Sequence, residues 1–437
     1  MSGSVVDHTV SSGNSSVAIP TDISGQILDL DEDDDLEVFS KDTSTTLTDG
    51  SSFNASMQTS PASMINQYKL EEEEEDADTK DIFVTVDNPE SHVTAIETYI
   101  TYRVETKTTR SEFDSSEFEV RRRYQDFLWL KGRLEEAHPT LIVHPLPEKF
   151  VMKGMVERFN EDFIETRRRA LHKFLNKIAQ HPIFSSSEDF KIFLTAGTGE
   201  LTSHKKQGPG FLSRMGETVK AVAAAVRGVR NRPQEFTDMQ EYAEAFSQKI
   251  SSLDKITQRI IREQKEYLEE LKECGPTYTL WSQSEEELAE PLKNVAGCED
   301  RCYKETEEQV KHLNDHLIPV LHEYVLCADT LKAVLRRRDN IQADFEGKAE
   351  ALATKKADRD AMSDELDKAE YRLEGANNAL KSDWIRWQKV MRSDLRSAFI
   401  DTAERNVSYY EKCLAVWESF LQSQRTDAEG NGKVDSS

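Results

Sequence analysis

The sequence has no apolar run near the roughly 18 residues that a membrane-spanning helix needs, and no signal peptide is recognisable at its start. Any contact with a membrane is therefore expected to be peripheral. Cysteine is scarce: five occur in 437 residues, in segments with helical patterns, which favours free thiols in a reducing compartment. Glycine and proline become rare after residue 233, which predicts a helical region there.

Motifs of the common enzyme classes are also missing. No P-loop, Rossmann glycine pattern, nucleophile elbow or carboxylate dyad is visible, so we do not expect an enzyme. His312 and His316 have the i, i+4 spacing of a zinc pair, but no third ligand or nearby glutamate base follows the metalloprotease pattern. Cys298 and Cys302 share this spacing. For both pairs a structural role is favoured over a metal site.

Charge is plentiful but unevenly distributed, and the net charge is −25. Residues 1–80 carry 3 basic and 18 acidic side chains, with too few apolar groups to offset the entropy of ordering, so a disordered acidic tail is predicted. A second disordered tail is predicted for residues 426–437. Residues 201–232, with 7 basic side chains and 1 acidic, are the place to look for an anionic surface.

Residues 81–137 have the pattern of three strands followed by a helix. The segments DIFVTV, His92 to Arg110 and Glu112 to Tyr124 show the alternation of half-buried strands. In the third segment Phe118, Val120 and Tyr124 fall on one parity, whereas Arg121 and Arg123 fall on the other and should leave the core together. Phe127, Leu130 and Leu134 then recur at helical spacing, and a proline-rich loop follows.

A second helix places Arg167 near the middle of an apolar stripe, which consists of Phe163, Ile164, Leu171, Phe174, Leu175 and Ile178. A guanidinium in this position must find a partner, because burying it unpaired is costly. The helix pattern alone leaves two partners equally plausible: an internal carboxylate, or a ligand phosphate that also attracts Arg123 and Lys149.

Three spaced motifs of this region are similar to those of the PX domain, a phosphoinositide-binding module with a three-stranded sheet and a helical layer. They are R-R-Y-x-D-F, the loop ending L-P-x-K, and R-R-x-A-L-x-x-F-L-x-x-I-x-x-H-P, and we assign residues 81–200 to this domain. The resemblance implies that phosphatidylinositol 3-phosphate is the ligand. It also implies a pocket of five side chains: Arg123 for the 3-phosphate, Tyr124 beneath the inositol ring, Gln125 in the wall, Lys149 for the 1-phosphate and Arg167 for the inositol hydroxyls. Val151 and Met152 would be the apolar tip that enters the bilayer.

Residues 201–233 are predicted to be a linker with an amphipathic helix. Its apolar face is short and flanked by cationic residues, as in helices that lie in the plane of a membrane interface, and the Gly-Pro-Gly at 208–210 separates it from the preceding domain. A packed core helix is the alternative. The predicted membrane-inserting residues are Phe211, Met215, Val219, Val222 and Val226.

Residues 234–425 are predicted to form three long helices, with breaks near Cys274–Gly275–Pro276 and at 355–360, and with a bend at Pro319. The helices carry separate apolar seams, typical of an antiparallel bundle that dimerises. This arrangement behind a PX domain resembles the BAR dimer of the PX-BAR sorting nexins. The segments GCEDRCYKETEEQ and HLIPVLHEY resemble the branch of that family that acts in endosomal recycling and autophagy. Candidate lipid-facing residues are Arg336, Arg337, Lys355, Lys356 and Arg359.

The function implied by the resemblance is that of a peripheral membrane adaptor on the cytosolic face of early endosomes. Its expected partners are phosphatidylinositol 3-phosphate and either another PX-BAR sorting nexin or a second copy of the chain, with no cofactor. The alternative is a coiled-coil scaffold whose PX domain binds protein rather than lipid. A nucleic-acid-binding role fits poorly, because the remainder of the chain is acidic and lacks a groove with stacking aromatic residues.

Overall fold

The computed structural model describes residues 81–93, 98–148, 161–207, 229–354 and 359–431. A three-stranded antiparallel sheet with its helices is followed by a long helical region, which confirms the predicted fold class. None of the helices in these segments is both long enough and apolar enough to span a bilayer.

The sheet has the strand order β1-β2-β3. Valines alternate with polar residues along the strands, and the paired residues Val86 and Val104 lie on the buried face. The structure differs from the prediction at the second strand: His92 belongs to β1, where it pairs with Tyr99 of β2. A register shift between Asp87 and Glu90 bends β1 before this point. The strands are β1 (Ile82–Val93), β2 (Thr98–Thr108) and β3 (Glu117–Arg123).

Helices cover one face of the sheet and the free edge of β1. His172 and Asn176 of α2 hydrogen-bond the edge backbone: the Val86 amide donates to His172 Nδ1 at 3.2 Å, and Asn176 Nδ2 donates to the Val84 carbonyl at 2.9 Å. These bonds pair backbone groups of β1 that an exposed edge strand would otherwise leave free to pair with another chain. The helices are α1 (Tyr124–Ala137), α2 (Glu161–Ala179), α3 (Glu188–Thr195) and α4 (Thr198–Gln207).

Helix α4 differs from the sequence prediction, which began the linker at residue 201, because α4 extends to Gln207. The chain is helical there because Leu201 is buried against the domain and Lys205 forms an ion pair with Asp126 of α1. These two contacts outweigh the low helix propensity of Gly199.

In the described residues the helical region consists of three long antiparallel segments. The first is interrupted between Leu271 and Cys274, near the break that the sequence predicted, whereas the second predicted break, at 355–360, falls largely outside the described residues. Its core is aromatic: Tyr242 and Phe246 of the first segment pack against Trp384 and Trp387 of the third. The middle segment contributes Tyr324, which is fully buried. The elements are α5 (Gln234–Leu271), α6 (Cys274–Trp281), α7 (Ala289–His312), a π-helical turn (Leu313–Leu317), α8 (Ile318–Thr354) and α9 (Arg359–Asn431).

The π-helical turn explains how the second long segment accommodates Pro319. Proline has no amide hydrogen to donate to the carbonyl four residues earlier, so the regular ladder must fail at this position. In the structure the Ile318 amide instead bonds to the carbonyl of Leu313, five residues back, and the helix continues as α8.

Polar contacts join the sheet domain to the helical region. The buried carboxylate of Asp383 in α9 accepts the Ile142 amide at 2.7 Å and His181 Nε2 at 2.9 Å. Two lysines of α2 pair with buried or half-buried carboxylates, including Lys173 with Glu323 at 2.7 Å. This set of contacts, hereafter the domain joint, comprises Ile142, Lys173, Lys177, His181, Glu323, Asp383 and Asp394.

Arg337 also lies at the domain joint, and its role there corrects its assignment to the lipid-facing surface. Its Nε donates to the Pro139 carbonyl at 2.8 Å, and its guanidinium approaches Glu135 of α1 at 3.7 Å. Arg336 is exposed. Lys355, Lys356 and the side chain of Arg359 lie outside the described residues.

Candidate phosphoinositide-binding site

The candidate site begins at the junction of β3 and α1. Arg123 keeps an extended backbone (φ −90°, ψ 164°), and its amide donates to the Asp126 carboxylate at 2.7 Å. An acidic side chain that accepts this amide ends the strand and starts the helix at Tyr124. Arg123 is therefore the last residue of β3, and Tyr124 is the first residue of α1.

The side chain of Arg167 stacks between two aromatic rings. Its guanidinium carbon lies 4.3 Å from the centroid of the Tyr124 ring and 4.5 Å from that of Phe163, one turn earlier on α2. Its Nη2 donates to the Glu148 carbonyl at 3.2 Å, and the Tyr124 hydroxyl donates to the Pro147 carbonyl. Helix α2, the start of α1 and the proline-rich loop therefore meet at one arginine.

Arg167 retains hydrogen-bonding capacity in this position. Its buried Nε has no hydrogen-bond partner in the part of the chain that the structure describes, nor does any carboxylate there form an ion pair with it. Burial lowers the pKa of Arg167, because removing the guanidinium from water penalises its charged form. Of the two partners left open by the sequence, the internal carboxylate is thus not found among these residues.

The neighbouring arginines of α2 have different partners. Arg168 and Arg169 both bind the Glu165 carboxylate, at 2.7 and 2.9 Å. The hydrogen bond from Arg168 lowers the pKa of Glu165 most, and the bond from Arg169 lowers it further. Burial of the carboxylate acts in the opposite direction but is outweighed, so the pKa falls to about 2. Of the three consecutive arginines, Arg167 is therefore the one without a carboxylate partner in the described segments.

The other predicted pocket residues are located as follows. The guanidinium carbon of Arg123 lies 5.7 Å from the centroid of the Tyr99 ring on β2, and Gln125 is exposed in the first turn of α1. The remaining predicted site residues lie outside the described residues: Lys149, Val151, Met152, Phe211, Met215, Val219, Val222 and Val226.

Arg122 is a residue that the sequence analysis missed. It is fully buried, and its guanidinium donates to the carbonyls of Phe193 at 2.8 Å and Ala196 at 2.6 Å, at the end of α3. Burial lowers its pKa to about 10. The signal was available, because Arg122 shares the parity of Val120, which faces the core. Arg122 thus anchors α3 behind the strand that carries Arg123.

A second feature outside the pocket is an apolar seam on α9. Five large side chains at heptad spacing are exposed, with Tyr410 at 67% and Leu414 at 58%. Tyr242 and Phe246 of the first long helix pack inside the chain, whereas the described residues leave these five side chains of α9 exposed. The members of this surface, the α9 seam, are Val407, Tyr410, Leu414, Trp417 and Leu421.

Comparison with known proteins identifies both parts of the chain. The family model for the PX domain matches residues 110–196, and the model "Vps5 C terminal like" matches residues 212–392. A solved structure, the SNX-BAR Mvp1 tetramer, aligns with 77% of this chain and 99% of its own, at a TM-score of 0.52 and 16% identity. At that identity the similarity is one of fold.

Similarity to named relatives extends over most of the sequence. Sorting nexin-7 from Homo sapiens is 63% identical over 376 residues, which cover 86% of this chain and 96% of that protein. Sorting nexin-30 from Xenopus tropicalis is 48% identical over 375 residues, which cover 86% and 83%. The two matched domains imply membrane and phosphoinositide binding and a role in trafficking. The chain belongs to the PX-BAR family of sorting nexins.

Proposed function

We propose that this protein is an adaptor that binds phosphatidylinositol 3-phosphate and curved early-endosomal membrane as a BAR dimer. It acts in endocytic recycling, intracellular protein trafficking and autophagosome assembly, with another PX-BAR sorting nexin or a second copy of the chain as partner. The PX domain comprises residues 81–200 and the BAR domain residues 234–425. The linker of residues 201–233 between them contributes a membrane-inserting helix.

The stacked arrangement of Arg167 is the observation that carries the lipid-binding proposal. The guanidinium is half-buried beside the rings of Tyr124 and Phe163, and among the described residues it has no carboxylate partner and its Nε has no hydrogen-bond partner. A rigidly held guanidinium with free donors suits vicinal hydroxyls or a phosphate, which accept its planar fork. An inositol phosphate placed over Tyr124 would supply these acceptors.

The α9 seam supports the dimer proposal. Exposing apolar side chains at heptad spacing to water is energetically unfavourable, and a second chain in a two-fold dimer would cover them. On the first long helix Leu253, Ile256 and Ile260 are also exposed and extend the apolar surface available for pairing. Dimerisation doubles the number of lipid pockets on one rigid body, so weak individual contacts combine into stable residence on a membrane.

Liposome co-sedimentation with single phosphoinositides tests the proposal. The full chain is compared with Arg123→Ala and Arg167→Ala, and Arg169→Ala serves as the matched control because it lies on the same helix and already has a carboxylate partner. We expect selective binding to vesicles with phosphatidylinositol 3-phosphate. Loss of a hydrogen bond to a charged group weakens binding by about tenfold to about a hundredfold in each pocket variant. Arg169→Ala should bind like the wild type.

Two results would contradict the proposal. Equal sedimentation with all anionic vesicles, unchanged in the pocket variants, would assign membrane binding to the linker and the BAR surface instead. No sedimentation with any vesicle would favour the scaffold alternative, in which the PX domain binds protein.

A further inference from the structure

We propose that His312, His316 and Asp401 form a binding site for a divalent transition-metal ion. His312 ends α7, His316 lies in the π-helical turn, and Asp401 comes from α9 on the neighbouring segment. The sequence offered the two histidines but not the third ligand, because Asp401 is 85 residues beyond His316 and reaches it only through packing of the helices. We call these three residues the His-His-Asp cluster.

The ligand atoms of the His-His-Asp cluster converge on one point. One atom from each residue lies within 4.8 Å of the other two, and His312 Nε2 is 2.9 Å from Asp401 Oδ2. Zinc binds imidazole nitrogen and carboxylate oxygen at about 2.0–2.2 Å, which separates tetrahedral ligands by a little over 3 Å. A small rotation of the imidazole rings therefore brings all three atoms into range. His312 Nε2 already contacts the Asp401 carboxylate, and a ring nitrogen of His316 lies within 4.8 Å of both other ligand atoms.

The side chains are accessible to an ion from solvent. His316 and Asp401 are exposed and His312 is half-buried. His316 also lines a cavity of about 750 Å³ between the sheet domain and the helical region. An ion would take three protein ligands and complete its coordination with water, as in sites that keep an open position.

The chemistry of the ligands selects the class of ion. Two imidazoles and one carboxylate suit zinc, cobalt, nickel or manganese, whereas calcium and magnesium favour oxygen ligands throughout. The hydrogen bond between His312 and Asp401 accounts for two members of the cluster but leaves His316 stacked on His312, with ring centroids 4.4 Å apart and planes at 20°. Within the described segments His316 has no other polar partner. A cation shared with His312 and Asp401 would give the His316 imidazole a polar partner.

The position of the cluster gives the ion a structural consequence. Leu313 to Leu317 form the π-helical turn just before Pro319, where the regular hydrogen-bond ladder of the second long segment is interrupted. An ion held by His312, His316 and Asp401 would connect the end of α7 and the turn itself to α9. It would therefore fix the relative position of the second and third long segments where the regular ladder is interrupted.

Calorimetric titration of the full chain with zinc, and absorption titration with cobalt, test the site. The protein is freed of any affinity tag and kept reduced, so that its five free cysteines do not form disulfides. We expect one saturable ion per chain, visible cobalt absorption without sulfur-to-metal charge-transfer bands, and a higher thermal unfolding temperature with zinc. His316→Ala, His312→Ala and Asp401→Asn should each lose at least about tenfold in affinity. His204→Ala in α4, outside the cluster, is the matched control and should bind like the wild type.

The variants also define what would overturn the proposal. Absence of saturable binding, or equal affinity in His316→Ala and His204→Ala, would exclude the site. Sulfur-to-metal charge-transfer bands that survive His316→Ala and disappear in Cys302→Ser would assign the ion to the thiols. Circular dichroism of each variant separates loss of a ligand from loss of the fold. No lipid is present in these titrations, so their outcome is independent of the proposed function.

Discussion

Replacement of Asp383 by alanine should loosen the domain joint. The Asp383 carboxylate is buried, with 3% of the residue exposed, and accepts hydrogen bonds from the Ile142 amide and from His181 Nε2. On the far side of the ring, His181 Nδ1 accepts the amides of Ile183 and Phe184 at 3.2 Å. One carboxylate thus orients the imidazole that organises the turn between α2 and α3.

The expected loss of stability follows from the buried hydrogen-bond donors that lose their acceptor in Asp383→Ala. The Ile142 amide and His181 Nε2 would both stay buried without an acceptor, and each unpaired buried donor costs about 1–3 kcal/mol. Asp383→Ala should therefore destabilise the joint by about 2–6 kcal/mol. A change of about 3 kcal/mol multiplies the population of the locally open state by more than a hundredfold.

Hydrogen exchange followed by mass spectrometry measures this opening. The reporter is the segment 183–187, whose amides do not bond to Asp383, so faster exchange there reports movement of the imidazole rather than the lost acceptor itself. Asp329→Ala is the matched control, because this exposed α8 carboxylate forms a surface pair with Lys332 whose loss should cost under about 1 kcal/mol. Unchanged exchange of the reporter in Asp383→Ala would refute the role assigned to the carboxylate.

Three further substitutions probe the core, the joint and the α9 seam. Arg122→Leu leaves two buried carbonyls unpaired, so the free energy of unfolding in urea titrations should fall by about 2–4 kcal/mol. The control Arg121→Leu removes a half-exposed ion pair with Glu90 and should cost under about 1 kcal/mol. Equal losses in the two variants would contradict the burial argument. Burial alone would raise the pKa of Glu323, but hydrogen bonds and charges from its histidine and lysine partners outweigh it and the pKa is lowered. The ionised Glu323 carboxylate therefore stabilises the fold above its usual pKa, near 4.5, and this stabilisation is lost as the pH falls below that value. The melting temperature of Glu323→Gln should be lower than that of the wild type at neutral pH, and the difference should shrink below about pH 4.5. A difference that does not change with pH would contradict the assignment. Leu414→Asp should convert dimer to monomer in sedimentation velocity, while Tyr371→Asp, outside the seam, should not; a dimer that persists in Leu414→Asp would exclude the α9 seam.

Sequence periodicity predicted the elements well because burial on one face of a strand or helix leaves a direct trace in residue order. The alternation around Val104 and the spacing of Phe127 and Leu130 correspond to residues that the structure buries. The position of Arg167 in an apolar stripe likewise predicted an arginine held within the domain. Its aromatic partner Phe163 was in the same stripe, so even this contact was readable from helical spacing.

Contacts between distant segments could not be predicted in the same way. Asp401 and Asp383 look like ordinary surface carboxylates of a helix, and their partners depend on the register of packed helices, which one sequence does not encode locally. Arg337 was assigned to a lipid-facing surface by its charge, but packing directs it to the sheet domain. Strand alternation places Arg122 on the same side as the core residue Val120, but a charged side chain is not expected to be buried. Its burial depends on the carbonyls at the end of α3, which the local sequence does not reveal.

Titration of the full chain with the soluble head group inositol 1,3-bisphosphate tests the central claim most directly, because it removes membrane insertion and avidity from the measurement. Calorimetry should give saturable binding to the wild type and to Arg169→Ala, and binding weakened by about tenfold to about a hundredfold in Arg167→Ala. The thermal unfolding of each variant establishes that the fold is intact. If all three proteins bind equally, or a folded wild type does not bind, the stacked Arg167 is not the centre of a phosphoinositide pocket.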